Sequence, residues 1–336
     1  MTPPTAIVHR LLVSIILTIA AAIALGFACV TDAPAQAYPS KPIRLIVPFA
    51  PGGPNDILAR LIAPKINEQL GQPAVIENRG GAAGTIGMEA LSKLPGDGYA
   101  LGIGGSSNLA VAPSLYHKLG YDSTRDFTPI INIAAVPYAL SINPSVPAKN
   151  VKDLVAIASK KPRYLNYGSS GAGSMSSIAA EIFKHASKTD IVHVPYKGTA
   201  PALSDVIAGQ IDMMFADLGL VESHAKAGKL RVLGVSTTKR SATAPHVPTI
   251  AESGLPGYEV NAWFALVGPA GIPRDVVVRL NSVVAAALKS PDVLQRFHTL
   301  GYDPIGGTPE ELGTTIRSDL AKYAKIIKSA GIRIEQ

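Results

Sequence analysis

Two stretches of this chain carry the same device, and a chain that carries it twice is confined to a short list of α/β folds. Residues 45–49 form an apolar run of strand length, and Ile57, Leu58, Leu61 and Ile62 beyond it fall at helical spacing. Between them lies Ala50-Pro51-Gly52-Gly53-Pro54. Residues 164–167 read as another strand, followed by Gly168-Ser169-Ser170-Gly171-Ala172-Gly173-Ser174 and a helix over 175–184. A glycine-rich turn from strand to helix lets amide N–H groups converge on one point, where the helix N-terminus favours an anion. In the first copy Gly52 and Gly53 give the turn its freedom, and Asn55 and Asp56 stand where an N-cap is expected. Any α/β protein has ordinary strand-to-helix connections of this kind, but two such turns suggest two jaws facing one cleft. The first copy lacks both the Walker-type GxxxxGKS/T and the GxGxxG pattern, which sets nucleotide and dinucleotide chemistry aside.

Composition narrows the partners. The 336 residues suffice for two α/β lobes, and 47% apolar with 16% charged residues suits a core-forming chain. The net charge of +7 is dispersed, with no Lys/Arg run of five or more, only seven Phe and one Trp. That argues against a nucleic-acid groove and leaves attraction of small anions. Residues 1–37 read as a secretory signal: His9 and Arg10 precede an apolar stretch over 11–30, and Ala35-Gln36-Ala37 fits the small-x-small cleavage pattern. Cleavage after Ala37 would leave an exported, periplasmic chain starting at Tyr38; an uncleaved membrane anchor is the alternative. The only cysteine, Cys29, lies in the leader, so the mature chain has no disulfide, thiolate metal site or cysteine nucleophile.

Strand and helix signals alternate along the mature chain. Residues 73–78 and 99–103 read as strands, the latter ending in Gly104-Gly105-Ser106-Ser107-Asn108, a polar cluster at the carboxyl end where open α/β sheets bind ligands. Residues 130–142 form an extended apolar segment broken by Pro137, and 258–267 form another; these are read as two crossings between lobes. Helices are expected over 151–159, 201–208, 276–288, 291–300 and 309–329, the last capped by Thr308. The resulting division gives lobe 1 residues 38–138 and 259–336, and lobe 2 residues 139–258.

Catalytic chemistry finds little support. None of the seven histidines has HxxxH or HExxH spacing, so no metal is expected, and nothing calls for a cofactor. Gly168-Ser169-Ser170-Gly171 is not a GxSxG elbow, and no histidine is marked as a serine's partner. Lys197 and Asp217 are the charged groups placed to reach the cleft, or to pair with each other between loops.

Ordered motifs carry a resemblance from Tyr38 almost to the C-terminus. They include Tyr-Pro-Ser-Lys-Pro-Ile-Arg at 38–44, Val-Pro-Phe-Ala-Pro-Gly-Gly at 47–53, and Tyr-Gly-Ser-Ser-Gly-Ala-Gly-Ser at 167–174. Val-Pro-Tyr-Lys-Gly at 194–198, Gly-Gln-Ile-Asp-Met-Met-Phe at 209–215 and Val-Pro-Thr-Ile-Ala-Glu-Ser-Gly at 247–254 follow. The chain resembles the Bug family of periplasmic substrate-binding proteins, receptors of tripartite tricarboxylate transporters. The resemblance implies a two-lobed, type II-like periplasmic binding fold, each lobe a mixed sheet flanked by helices, with the ligand cleft between lobes. It also implies a monomer that closes on a small organic carboxylate and delivers it to the transporter's membrane subunits. The family's gripping loops map onto residues 49–56 and 168–174. With the strand-end cluster, the expected ligand contacts are Phe49, Ala50, Pro51, Gly52, Gly53, Asn55, Asp56, Ser106, Ser107, Asn108, Gly168, Ser169, Ser170, Gly171, Gly173, Ser174, Lys197 and Asp217. Where relatives often carry His or Asn, this chain has Leu109, Ala112 and Ser177, which bears on the ligand's second end. The competing readings are an orphan ligand sensor, a secreted serine hydrolase using Ser169 or Ser170, and an effector-sensing domain of a transcription factor. The last needs a helix-turn-helix where the leader stands.

Overall fold

The computed structural model describes residues 17–18, 38–116, 118–241 and 243–332. Residues 1–40 and 41–336 form separate units. The expected leader, its cleavage pattern and Cys29 lie outside the described residues. Among the described residues no helix is long and apolar enough to cross a membrane.

Among the described residues ten strands are joined through β4 (Phe127–Ile142), eight along one path and two more pairing with β4 beside it. On one side, β1 (Ile43–Val47) lies between β2 (Ala74–Asn78) and β3 (Ala100–Gly105), all parallel. Next, β9 (Asn261–Pro269) runs antiparallel to β3 and to β4 as far as Pro137, and β10 (Asp303–Gly306) also pairs with β4. On the other side, β4 from Tyr138 to Ile142 pairs with β7 (Met213–Asp217), which continues in parallel through β5 (Asn166–Ser169) to β6 (Val192–Pro195). β8 (Arg231–Val235) pairs with the other edge of this end of β4. Pro137 was expected to break the extended run, yet the strand continues through it. It is the last residue paired with β9, and Tyr138 is the first paired with β7. A missing N–H is tolerated where the strand changes partners.

Helices α1 (Pro54–Leu70), α2 (Thr85–Ser92), α8 (Arg274–Ala287) and α10 (Pro309–Ala330) are placed with the first set of strands, together with the short α3 (Ala112–Leu115) and α9 (Pro291–Leu300). Helices α4 (Val151–Lys160), α5 (Met175–Ser187), α6 (Thr199–Ile207) and α7 (Leu218–Lys226) belong with the second. Leu58, Ile62, Ile66 and Leu70 recur at helical spacing on α1 and are all buried, which seats the helix on its sheet. The expected Thr308 cap on α10 is present as a capping box with Glu311. In the second half Phe183, Phe215 and Tyr258 pack as a trio, with ring centroids 5.9 to 6.4 Å apart. Tyr258 also donates to Ala179 O at 2.8 Å, pinning the returning chain to α5.

Candidate functional site

The first turn is built differently from its sequence reading. The N-cap of α1 is Gly53, with extended backbone (φ −87°, ψ 174°), and Pro54 follows inside the helix; Asn55 and Asp56 are the next two helical residues. Pro54 suits that first position because its fixed φ is helical and its absent N–H is not needed. Asp56 instead braces the turn from behind. It accepts from Gly52 N at 3.0 Å, Arg60 Nε at 2.9 Å, Arg60 Nη2 at 3.1 Å and Asn78 Nδ2 at 3.0 Å. Burial pushes its carboxyl up, but the bonds from Arg60, Gly52 and Asn78 outweigh it and hold the group below the usual carboxylate range. Asn55 donates to Ile103 O at 2.7 Å, tying α1 to β3.

Hydroxyls hold the second turn. Ser174 caps α5, and Ser176 Oγ accepts from Ser170 N at 2.9 Å while bonding the hydroxyls of Ser170 and Ser174 at 3.0 and 2.9 Å. Ser177 Oγ accepts from Gly173 N and donates to Ser174 O, both at 2.9 Å. Gly171 sits at φ +132°, and a Cβ there would stand 3.4 Å from Ala83 N of the opposite wall. Only glycine meets both the backbone angle and that approach. Tyr116 Oη also crosses, donating to Ala172 O at 3.0 Å, so the two turns face each other across a narrow gap.

That gap is a cavity of about 20 Å³, room for about one ordered water. Of the residues expected to bind ligand, Phe49, Gly53, Asn55, Ser106, Ser107, Asn108, Ser170 and Ser174 line it. So do Pro54, Gly105, Tyr138, Met175, Thr199 and Phe264, which were not among the expected contacts. Thr199 opens α6, so a third helix N-terminus joins those of α1 and α5 at the cavity. The strand end Ser106-Ser107-Asn108 enters a π-helical turn over Ser107–Val111 that turns these side chains inward.

Ten expected contacts stand elsewhere. Ala50, Pro51 and Gly52 form the outer side of the first turn, and Asp56 braces it from behind. Gly168, Gly171 and Gly173 shape the second turn without reaching the cavity wall. Lys197 is exposed, beside a cavity wall to which it contributes no side chain. Asp217 is fully buried at the end of β7, opposite Tyr138 in the β4–β7 register. Neither of its carboxylate oxygens has a hydrogen-bond partner among the described residues, and burial, only partly offset by its own amide, pushes its pKa up to about 7.

Ser169 has the histidine partner that the sequence did not reveal: its Oγ lies 2.7 Å from His193 Nε2. The same oxygen accepts from Gly171 N at 3.1 Å and is fully buried, behind the turn. His193 stacks on Tyr167 with centroids 4.5 Å apart, and burial pulls its pKa down to about 4. This pair braces the turn and lines no part of the cavity with its serine. Leu109 and Ala112 are core residues, and Ser177 faces a separate cavity of about 360 Å³ behind the second turn.

The family described as "Tripartite tricarboxylate transporter family receptor" matches residues 58–332. The chain belongs to this receptor family. Protein BugT of Bordetella pertussis is 34% identical over 302 residues, covering 90% of this chain and 93% of BugT. An R. palustris protein solved with adipate has 40% identity and a TM-score of 0.85, covering 88% of this chain and 99% of its own. MatC from Rhodopseudomonas palustris, with bound malate, has 32% identity and a TM-score of 0.83, covering 86% and 100%. The receptor family therefore accounts for the two-lobed periplasmic binding fold, and its Bug-named member agrees with the resemblance carried by the sequence motifs.

Proposed function

We propose that this receptor captures a small organic carboxylate in the cavity between its two turns, without chemical turnover, and passes it to membrane subunits of a transporter. The observation that carries this reading is the meeting of three helix N-termini, from Gly53-Pro54, Ser174-Met175 and Thr199, at one cavity. Free amides and aligned peptide dipoles there favour an anion, and hydroxyls supply further donors. The relatives solved with adipate and malate support the choice of a carboxylate. The contacting groups in this proposal are the lining residues of both walls, with Ser170 and Ser174 on the second. Such a dipolar grip offsets desolvation of the anion and releases it without breaking a buried ion pair.

With only about 20 Å³ of free space the cavity is nearly closed, and in this reading the halves part to admit a ligand and close on it. The hinge in this reading is the pair of crossing segments, with lobe 1 as 38–138 and 259–336 and lobe 2 as 139–258. Export after cleavage at Ala37 places the mature monomer in the periplasm. Calorimetric titration of mono- and dicarboxylates tests the site. One ligand should bind per chain and be recovered unchanged, and Ser170→Asp should weaken it by roughly a hundredfold or more, because it sets a like charge against the anion. Unchanged affinity in Ser170→Asp would remove the second turn from the site. Small-angle scattering of the free and ligand-saturated protein tests the hinge, an equal radius of gyration counting against it.

A further inference from the structure

Positive charge that is dispersed along the sequence is gathered by the fold at one end of the second half. The strands there lie in the order β8-β4-β7-β5-β6. Their register sets Arg231 beside Ile142, Ile142 beside Met213, Met213 beside Tyr167, and Asn166 beside Val192. The loops and helix ends that meet this row carry Lys149, Lys160, Lys161, Arg163, Lys188 and Lys229, all exposed. Main-chain bonds fix them to it. Arg163 N donates to Asp190 O at 2.8 Å just ahead of β6, and Arg231 Nη1 donates to Ala148 O at 2.8 Å beside Lys149. Five strands at ordinary spacing make this end roughly 19 Å wide.

Little negative charge answers these cations. Asp190 is exposed, but its Oδ1 lies 3.9 Å from Arg163 Nη1, beyond hydrogen-bond reach. Asp153 and Asp212 are half-buried and accept from the amides of Lys149 and Asn166, and Asp205 accepts from the Tyr196 hydroxyl. None of the five lysines forms an ion pair among the described residues. The first half shows the reverse: Arg44, Arg60, Lys65, Lys93, Arg125 and Arg274 each stand within 3.0 Å of a carboxylate.

Tyr164 rises among the unpaired cations with 60% of its surface exposed, and Lys161 Nζ lies 4.9 Å from its ring centre. A tyrosine so placed has an apolar ring and a polar tip, which suits the headgroup level of a bilayer. Lysine is depleted in contacts between proteins, where the planar fork of arginine is preferred. Five lysines to one arginine therefore favour a fluid layer of headgroup phosphates over a folded acidic partner.

We propose that this end of the second half rests on an anionic lipid surface, its lysines and Arg163 meeting headgroup phosphates and Tyr164 entering the interface. The cavity lies at the opposite, carboxyl ends of β5 and β7, so a chain resting this way keeps its cleft clear of the lipid. The proposal goes beyond ligand capture and does not depend on what the cavity holds.

Vesicle co-sedimentation of the exported chain tests it, comparing phosphatidylcholine alone with phosphatidylcholine containing about one phosphatidylglycerol in three. At about 50 mM salt the anionic vesicles should take up the protein at least roughly tenfold more strongly than the neutral ones. At about 500 mM that excess should vanish, because salt screens exposed charges. The triple variant Lys160→Glu, Lys161→Glu, Lys188→Glu should lose roughly tenfold or more, and Tyr164→Ala about threefold. Arg279→Glu, Lys289→Glu, Lys325→Glu, a triple reversal of exposed cations in the first half, should lose less than about threefold. Circular dichroism checks that each variant folds, and the wild-type comparison decides even if one does not. Equal uptake by neutral and anionic vesicles at low salt would overturn the proposal and leave an acidic protein as the occupant of this end. Equal losses in the two triple variants would also overturn it, since the attraction would then belong to the whole chain's charge.

Discussion

The two walls of the cavity perform one task with different chemistry. Charge holds the first turn: Asp56 gathers Gly52, Arg60 and Asn78 behind it, so every bond runs in a fixed direction from donor to carboxylate. The second turn is held by serines and His193, groups that both donate and accept. A hydroxyl chain can reverse its direction when a ligand arrives, and a carboxylate with four donors cannot. The first wall is therefore a fixed edge, and the second an adjustable one.

The largest effect expected from breaking this contrast lies in pH dependence. Asp217 in the second half has no partner and a pKa near 7 against an ordinary 3.8. Its contribution to stability is full below about pH 3.8 and is lost as pH rises through 7, on the order of 4 kcal/mol in all. His193 runs the other way: its pKa of about 4 against 6.5 gives stability that is full above 6.5 and lost as pH falls through 4. Between these limits the two offset each other. Denaturant unfolding from acid to mildly alkaline pH should show Asp217→Asn gaining on wild type as pH rises. His193→Gln should gain as pH falls, by less, because His193 keeps some contact with solvent. Parallel curves for wild type and Asp217→Asn would show that Asp217 is not a buried, strained acid.

Next in size is Asp56→Ala against Ser176→Ala. Removing Asp56 leaves Gly52 N without its acceptor and Asn78 Nδ2 with Phe49 O alone, at about 1–3 kcal/mol for a group that finds no water. Because Asp56 is held below its ordinary pKa, its stabilisation is present above pH 3.8 and is lost as pH falls through its depressed folded value. Ser176→Ala should cost about 1 kcal/mol, since the remaining hydroxyls can re-pair. Equal losses in thermal unfolding would erase the distinction between a fixed and an adjustable wall. The smallest test concerns backbone angle. Gly52 lies at φ +85°, while Gly53 has an ordinary extended backbone and room for a methyl, its nearest contact at 3.8 Å. Gly52→Ala should destabilise by about 1 kcal/mol, whereas Gly53→Ala should be near neutral. Equal effects would mean that the turn draws no benefit from its left-handed glycine.

Much of this was legible in the sequence because glycine, proline and hydroxyl runs have few other uses. Both turns and the ends of most helices follow from such local chemistry. Tyr138, Met175 and Phe264 were not legible at the cavity, because on an apolar strand or helix a wall residue looks like a core residue. Thr199 left a faint signal, a threonine after Gly198 and two residues ahead of Pro201, as at a helix start. Lys197 drew attention by its charge, although only its main chain comes near the opposite wall. Neither the burial of Asp217 nor the distance from Ser169 to His193 has any local signature.

The strand Phe127–Ile142 serves two masters, and that limits how its length can change. Side chains alternate along it, so adding or deleting one residue at the Pro137 seam would preserve one half's pairing and invert the other half's inside and outside. Two residues would restore the faces but slide the turns past each other and open the cavity on one edge. New ligand preferences are therefore reached by substitution at the walls and by resizing the loops, while the rod between the halves tolerates almost no change in length.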